Sequence, residues 1–525
     1  MDNTKVTRPL DMTRTRTSAG SIYPLAVLVF TGLLTSCAVG PDFQQPAAPE
    51  TSAYTAAPQP MQTVSATTPL GGPQRLIEGM AISDLWWHEL GSPKLDALID
   101  TALQASPTLA SAQAASRQAY ELYAAHSGST RYPQVDAALN TQRQLSNPSA
   151  LGQVGEAQTF TLYNTSVGVH YQLDLAGGNR RALEALAARA DYWRYQLAGT
   201  HLTLAANIVT TAVTQARLSA QIQATETILS AQEEQLRLTR ERVRLGQAAV
   251  DEVLALQTQV EQTRAGAPLL RQQRQQNEHL LVVLVGRAPG TGNLPAFTLN
   301  DFTLPSDLPL VVPSELVRRR PDIQAAQALL QAANAEYGVA VARLYPQINL
   351  SATLGSEALT TGALFGSGSA VWSLIGQLTQ PLFNPGLPAE KRAALAAFDA
   401  AAANYQNIVL ESLRNVADVM SALDNDAQTL AALATADAAA QGSVESMQRQ
   451  YALGNANSIQ LLTVQQQAQQ NRINLIAAQA QRLIDSAALY QAMGGGWMAP
   501  PVKDTRKLTA DIAIRRQYRM AAGVY

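Results

Sequence analysis

The chain has one cysteine, Cys37, among 525 residues. An intrachain disulfide framework is therefore excluded. Charge is also scarce: Asp, Glu, Lys and Arg make up 15% of the chain, against a usual ~25%. The balance is a formal −2, so no global field gathers nucleic acid or another polyanion. The run Arg318-Arg319-Arg320 is short, flanks a helix start and reads as a solvated face. No apolar run reaches the ~20 residues of a spanning helix, which excludes a helical membrane protein. A β-barrel survives this test, because alternating strands barely register in hydropathy. His88, His126, His170, His201 and His279 include no pair at helical ligand spacing. No Gly precedes a Lys, so there is no Walker loop, and no Gly-x-Ser-x-Gly elbow occurs. No catalytic residue, metal or cofactor is expected, and an enzyme is set aside. What is plentiful is apolar side chain, 46% of the whole, which argues against a disordered chain.

The N-terminus reads as an address. Lys5, Arg8, Arg14 and Arg16 precede an apolar stretch from Ile22 to Leu34, the pattern of a secretory signal peptide. It ends in Leu34-Thr35-Ser36-Cys37, which resembles the bacterial lipobox. Residues 1–36 would be removed and Cys37 would carry covalent lipid, a stable membrane anchor when several acyl chains are attached. Ala38, in place of Asp, permits sorting to the outer membrane by analogy with bacterial lipoproteins. Residues 38–80 are rich in Pro, Ala, Thr and Gln and read as an extended linker rather than a packed unit.

The remainder is an internal duplication. Arg131-Tyr132-Pro133-Gln134-Val135 returns as Leu344-Tyr345-Pro346-Gln347-Ile348. Further on, Gly178 pairs with Gly386, Leu245-Gly246 with Leu453-Gly454, and Gly286 with Gly494. The offset drops from 213 to 208 residues, so the first half is longer somewhere between Pro133 and Gly178. Each half reads as helix, hairpin, long helices. Pro107 and Pro321 suit a first helical position.

Four segments alternate polar and apolar. Residues 134–142, 163–174, 347–354 and 371–380 each present one polar face. Asp136, Asn140, His170, Gln172, Asn349 and Gln377 belong to it and are expected to line a wet lumen. Period 2 with one polar face suits a soluble sheet or the wall of a membrane barrel. Four strands cannot close a barrel whose smallest members have 8, so other chains must supply the rest. Residues 179–246 contain no Pro and one internal Gly, Gly199. Ile222, Leu229, Leu236, Val243 and Val250 recur every seven residues, with Thr and Gln three positions on. This is a thin coiled-coil seam, compatible with helices that also line water.

Together these features resemble the TolC-like outer membrane factors, in the lipoprotein (NodT-type) branch of resistance-nodulation-division efflux systems. Cys37-Ala38-Val39-Gly40-Pro41-Asp42-Phe43 looks like the mature start of that branch. Leu85-Trp86-Trp87 and Leu95-Asp96-Ala97-Leu98-Ile99 are similar to its first helix. Arg319-Arg320-Pro321-Asp322-Ile323, then Ala340 through Pro346, resembles its most recognisable block. The resemblance runs from Cys37 to about Trp497.

It implies a mixed, mainly α fold and a homotrimer in which each chain gives four strands to one 12-stranded barrel. Long periplasmic coiled-coil helices would form a tunnel. The implied division is a signal peptide 1–36, an acylated linker and equatorial segment 37–93, and a first repeat 94–293 with its hairpin at 132–174. An equatorial linker 294–313, a second repeat 314–496 with its hairpin at 345–382, and a tail 497–525 follow. The implied function is the outer-membrane exit duct of a tripartite efflux pump, passively conducting small toxic compounds or drugs. Its partners would be a periplasmic adaptor (membrane fusion) protein, an inner-membrane resistance-nodulation-division transporter and outer-membrane lipid, with no nucleic acid. The duct of a type I protein-secretion system shares this architecture. A non-pore periplasmic coiled-coil scaffold is the alternative of another class, against which the four amphipathic strands argue. Copper or silver export is a subset of efflux, for which few Met and one lipidated Cys provide no relay.

At the periplasmic tip, Gly246, Gln247, Gly454 and Asn455 are expected to form the turns that meet the adaptor. Asp251 and Glu252 are expected either to narrow the mouth with up to six carboxylates in a trimer or simply to begin the returning helix. The second turn carries Asn455, Gln460 and Thr463 where many relatives place a carboxylate ring. Asn384-Pro385-Gly386-Leu387-Pro388 departs from the family's Gly-rich turn, so an altered helix start is expected there.

Overall fold

The computed structural model describes residues 38–51, 53–148, 152, 154–291 and 294–496. Cys37, the signal segment and the tail from 497 lie outside the described residues. The chain divides into two compact units. One comprises residues up to Asp42, His126–Glu184 and Ala335–Ala394; the other comprises the rest.

The first unit is built on a four-stranded antiparallel sheet in the order β2-β3-β5-β6. Its strands are β2 (Gln134–Ser146), β3 (Gln158–Leu173), β5 (Gln347–Ala358) and β6 (Ala370–Thr379). β2–β3 and β5–β6 are hairpins, and the β3–β5 pairing joins the two halves of the duplication. The extra length of the first half lies in its hairpin: strands of 13 and 16 residues against 12 and 10. β2 and β6 are the two open edges, and all their residues are exposed.

The register fixes the two faces, because directly paired residues share a face. Gln172 lies opposite Asn349, and Asn349 opposite Gln377. His170 lies opposite both Gln134 and Ser351. The other face carries Val135, Leu139, Val167, Leu350, Leu354, Trp372, Leu374 and Leu378. All eight are large exposed hydrophobics, Leu139 at 73% and Trp372 at 78%. Such a face in water is unfavourable, at roughly 25 cal/mol per Å² of apolar area.

The two hairpins lead into long helices of equal length. Helix α3 (Gly178–Arg244) and helix α7 (Gly386–Ala452) each have 67 residues, about 100 Å at 1.5 Å per residue. Their starts differ, and the reason is a side chain. Asp174 caps α3, accepting from Asn179 N at 3.0 Å and Arg180 N at 2.8 Å. At α7 the counterpart of Asp174 at the 208-residue offset is Leu382, and the cap is instead Asn384, whose Oδ1 accepts from Gly386 N at 3.0 Å.

The second unit holds the main core. Trp86, Trp87, Leu90, Leu95 and Ile99 pack with Ile208, Val213, Leu281, Phe297, Phe302, Leu308, Leu483 and Tyr490. Trp86 stacks on Tyr490 at 5.4 Å. Strand β1 (Arg75–Glu78) pairs in parallel with β4 (Asp307–Leu310). The linker reading of 38–80 is corrected over 60–80. Gln74 is fully buried; it donates to Ser486 Oγ at 2.8 Å and to Pro305 O at 3.1 Å. Polar side chains rather than an apolar stripe hold this segment, so hydropathy did not reveal it.

Proline and glycine mark matching joints in both repeats. Helix α1 (Pro93–Ala105) stops before α2 (Pro107–Arg131), and α5 (Pro313–Arg319) stops before α6 (Pro321–Ala342). Helix α4 (Val250–Leu284) ends at Gly286, and α8 (Ser458–Ala492) ends at Gly494. Both glycines have positive φ. A Cβ on Gly286 would meet Ala105 O at 2.5 Å; one on Gly494 would meet Arg319 O at 3.0 Å. Of the arginine run, Arg318 is exposed as a solvated face requires, while Arg320 departs from that reading. Arg320 donates to Ala492 O at 3.1 Å and Asn415 Oδ1 at 3.1 Å, and pairs with Asp322 at 2.7 Å.

Candidate functional site

The seam of the long helices is buried at Ile222 and Leu236, and at Leu430, the counterpart of Ile222 at the 208-residue offset. The positions three residues on do not line water. Thr225, Gln232 and Thr239 are each buried. Thr225 Oγ1 satisfies itself on Gln221 O at 2.8 Å. Gln232 borders a cavity of about 400 Å³ of mixed lining, with Gln441, Gln465 and Arg472 beside Ile228 and Val444. Asp437, which interrupts the apolar repeat, is buried and paired to Arg472 at 3.4 Å and Gln441 at 3.0 Å.

The helix tips are two turns of the same design. Gly246 has φ +73° and Gly454 φ +78°. Gln247 N bonds to Arg242 O at 2.8 Å and Gly246 N to Val243 O at 2.9 Å. Asn455 N bonds to Gln450 O at 2.9 Å and Gly454 N to Tyr451 O at 3.1 Å. This is the paired hydrogen-bond pattern of a Schellman end, which needs a left-handed residue at the glycine. Around the turns Leu245, Val250, Leu254, Leu453 and Ile459 are exposed, an apolar collar; Val250 thereby leaves the heptad seam in which its spacing placed it.

The returning helices start differently. Asn457 and Gln460 form a reciprocal capping box at α8, with bonds of 2.8 and 3.0 Å. At α4 the cap is Ala249, with no side-chain bond, and Asp251 and Glu252 occupy the first turn. Acids there favour the positive end of the helix dipole. Glu252 also has a partner. Tyr451 OH donates to Glu252 Oε2 at 3.4 Å and accepts from Arg242 Nη1 at 2.7 Å. A three-residue tie thus joins the first turn to the second.

The six polar strand residues share one face of the sheet by register, with Asn164 and Glu357 added to it. Asn164 Nδ2 donates to Glu357 Oε2 at 3.4 Å. Phe160, Leu162 and Val371 interrupt that face toward its far end, and Ile375 interrupts it near the base, opposite Ser351. Among the described residues no three His, Cys, Asp or Glu gather as metal ligands, and no helix is long and apolar enough to cross a membrane.

One buried polar group had no sequence signal. Arg482 of α8 is fully buried; its Nη2 donates to Gln74 Oε1 at 2.7 Å and Thr63 Oγ1 at 3.2 Å. One turn on, Asp485 Oδ1 accepts from Gln481 Nε2 at 2.8 Å, and Asp426 of α7 is the neighbouring acid. Burial, with the neighbouring acid, pushes its carboxyl up to about 7. Only the meeting of α7, α8 and the segment before β1 creates this environment.

Known proteins match this architecture over nearly its whole length. The family model described as outer membrane efflux protein matches residues 98–287 and 312–495. A probable efflux pump outer membrane protein of Pseudomonas putida, TtgC, is 30% identical over 488 residues, covering 91% of this chain and 96% of its own. The solved outer-membrane channel OprN superposes with a TM-score of 0.79 at 26% identity, covering 88% of this chain and all of its own. The Campylobacter jejuni outer membrane channel CmeC superposes at 0.80 with 19% identity, over 90% of this chain and 98% of its own, a likeness of fold. The family is one of transport proteins rather than enzymes. With both repeats matched, the chain belongs to the outer membrane efflux protein family of TolC-like channels.

Proposed function

We propose that three copies of this chain form the exit duct of a tripartite efflux pump, closing one barrel in the outer membrane above a helical tunnel. The observation that carries this reading is the sheet. It has two open edges, one polar face and one broad exposed apolar face. Open edges leave backbone N–H and C=O groups unpaired, which hydrocarbon does not tolerate. Joining β2 of one copy to β6 of the next satisfies them, sets the apolar face toward lipid and encloses the polar face.

On this reading Asp136, Asn140, His170, Gln172, Asn349 and Gln377 line the lumen and conduct without binding tightly. Lipid on Cys37 anchors the chain. The turns at Gly246-Gln247 and Gly454-Asn455, with their leucine collar, receive a periplasmic adaptor that delivers cargo from an inner-membrane pump. The relatives' names speak of efflux pumps, which supports small toxic compounds as cargo. Selection among them belongs to the pump.

Particle mass and negative-stain images of detergent-extracted protein test the duct. Three chains with three-fold views and a rod about 100 Å long are expected. A monomer without three-fold views would overturn it.

A further inference from the structure

The residues directly after Cys37 are held in a built socket. Val39 N donates to Ala176 O at 3.0 Å, three residues beyond β3. The Arg181 side chain, only 4% exposed, converges on the same strip. Its Nη2 donates to Asp42 Oδ1 at 2.7 Å and Gly40 O at 3.1 Å, and its Nε to Val39 O at 3.3 Å. Its Nη1 is held by Glu184 at 2.8 Å.

The fit is closed by glycines. A Cβ on Gly177 would meet Ala38 Cα and Cβ at 2.6 Å, and one on Gly40 would meet Gly338 Cα at 2.8 Å. A Cβ on Gly338 would meet Arg181 Cγ at 2.9 Å. Gly40 and Gly177 also have positive φ.

The duplication supplies an internal control. At the two offsets that relate the repeats, Gly177, Arg181 and Gly338 correspond to Pro385, Ala389 and Ala125. None of the three socket residues is repeated. The chain has two repeats and one N-terminus, and the socket exists once.

We propose that Arg181, with Gly177 and Gly338, is a binding site for the mature N-terminal segment Ala38–Asp42. The site thereby holds the start of the described chain, Ala38, beside the base of the strand sheet. Consecutive Cα atoms are about 3.8 Å apart across a trans peptide, so holding Ala38 leaves its acylated neighbour little range. The anchor is then a positioned part of the membrane domain rather than a lipid on a loose tether. The anchor's role rests on Cys37 being acylated; the socket itself does not.

Hydrogen–deuterium exchange of the full-length purified protein, read at the Val39 amide, tests this. In the wild type that amide is expected to exchange at least tenfold more slowly than in an unstructured peptide. Arg181→Met should remove most of the protection and Asp42→Asn part of it. Arg343→Met, which breaks only the exposed pair with Glu390, should leave it unchanged. Asp42 is exposed, so its variant reports even if Arg181→Met fails to assemble. A chain secreted behind a non-lipoprotein signal peptide with Cys37→Ser should keep the protection. Loss there would mean that lipid holds the segment, and would overturn the socket. An unprotected Val39 in the wild type, or equal protection in Arg181→Met and Asp42→Asn, would overturn it as well. Particle mass from the same samples separates the two readings: trimers with a free Val39 sink the socket alone, and protected monomers sink the duct alone.

Discussion

Arg242 and Tyr451 join the ends of the two long helices. The guanidinium donates to the phenol oxygen at 2.7 Å and lies 5.2 Å from the ring centroid. The same phenol reaches Glu252, so one hydroxyl serves both turns. Tyr451→Phe removes that hydroxyl and keeps the ring over the arginine. A net hydrogen bond contributes about 1 kcal/mol, a roughly fivefold shift between tied and untied tips. Single-channel recordings in planar bilayers are expected to show more frequent openings. Unchanged open probability would mean the tie is passive.

Asp251 and Glu252 make a second prediction at the tip. If three copies gather them at the mouth, Asp251→Asn with Glu252→Gln lowers cation preference. The reversal potential in a salt gradient should move toward zero. A potential equal to the wild type's would assign both acids to the start of α4 alone.

The two kinds of glycine should separate cleanly. At Gly454 a Cβ meets nothing within 4 Å, while at Gly286 it meets Ala105 O at 2.5 Å. Gly454→Leu carries only the left-handed φ cost, roughly 1–2 kcal/mol. Trimers should form, yet drug susceptibility should rise if that turn meets the adaptor as proposed, because a bulky group then projects into the contact. Gly286→Ala should instead reduce the yield of trimer itself, as a shift of backbone against backbone is required. Blue-native gels with susceptibility tests on the same strains distinguish the two.

Asp485 predicts a pH dependence. Folded, it holds its proton up to about pH 7; unfolded, it releases it near pH 4. Between those values the folded state binds the extra proton. Stability therefore falls as pH rises across that window and levels off above it. Apparent melting temperature should be higher at pH 5.5 than at pH 8. Asp485→Asn should shrink that difference. An undiminished difference would place the titration elsewhere.

Local chemistry made the regular elements legible. Period-2 alternation located all four strands, because register and face are written two residues apart. Pro107 and Pro321 located the helix joints, since proline tolerates only a first turn. Residues 60–80 were misread because Thr63 and Gln74 are held by hydrogen bonds to Arg482 and Ser486, partners some four hundred residues away. Gln232 and Thr239 looked solvent-facing because their own segment is polar there, yet both are buried in the packed helices. Arg320 looked like surface charge because the carbonyl it caps, Ala492 O, belongs to the last helix. Alternation is intrinsic to a segment, whereas burial of a polar side chain depends on which distant segment arrives. The tip turns were read from glycine, but the Arg242–Tyr451–Glu252 tie joins both repeats and has no local pattern.

The unequal hairpins have a consequence for the outer surface of the cell. The first hairpin has strands of 13 and 16 residues, the second 12 and 10. At about 3.3 Å per residue, three or four extra residues raise the first by roughly 10 Å. A ring of three such sheets cannot have a level brim. In the proposed trimer it would alternate three crests, one for each longer hairpin, with three notches.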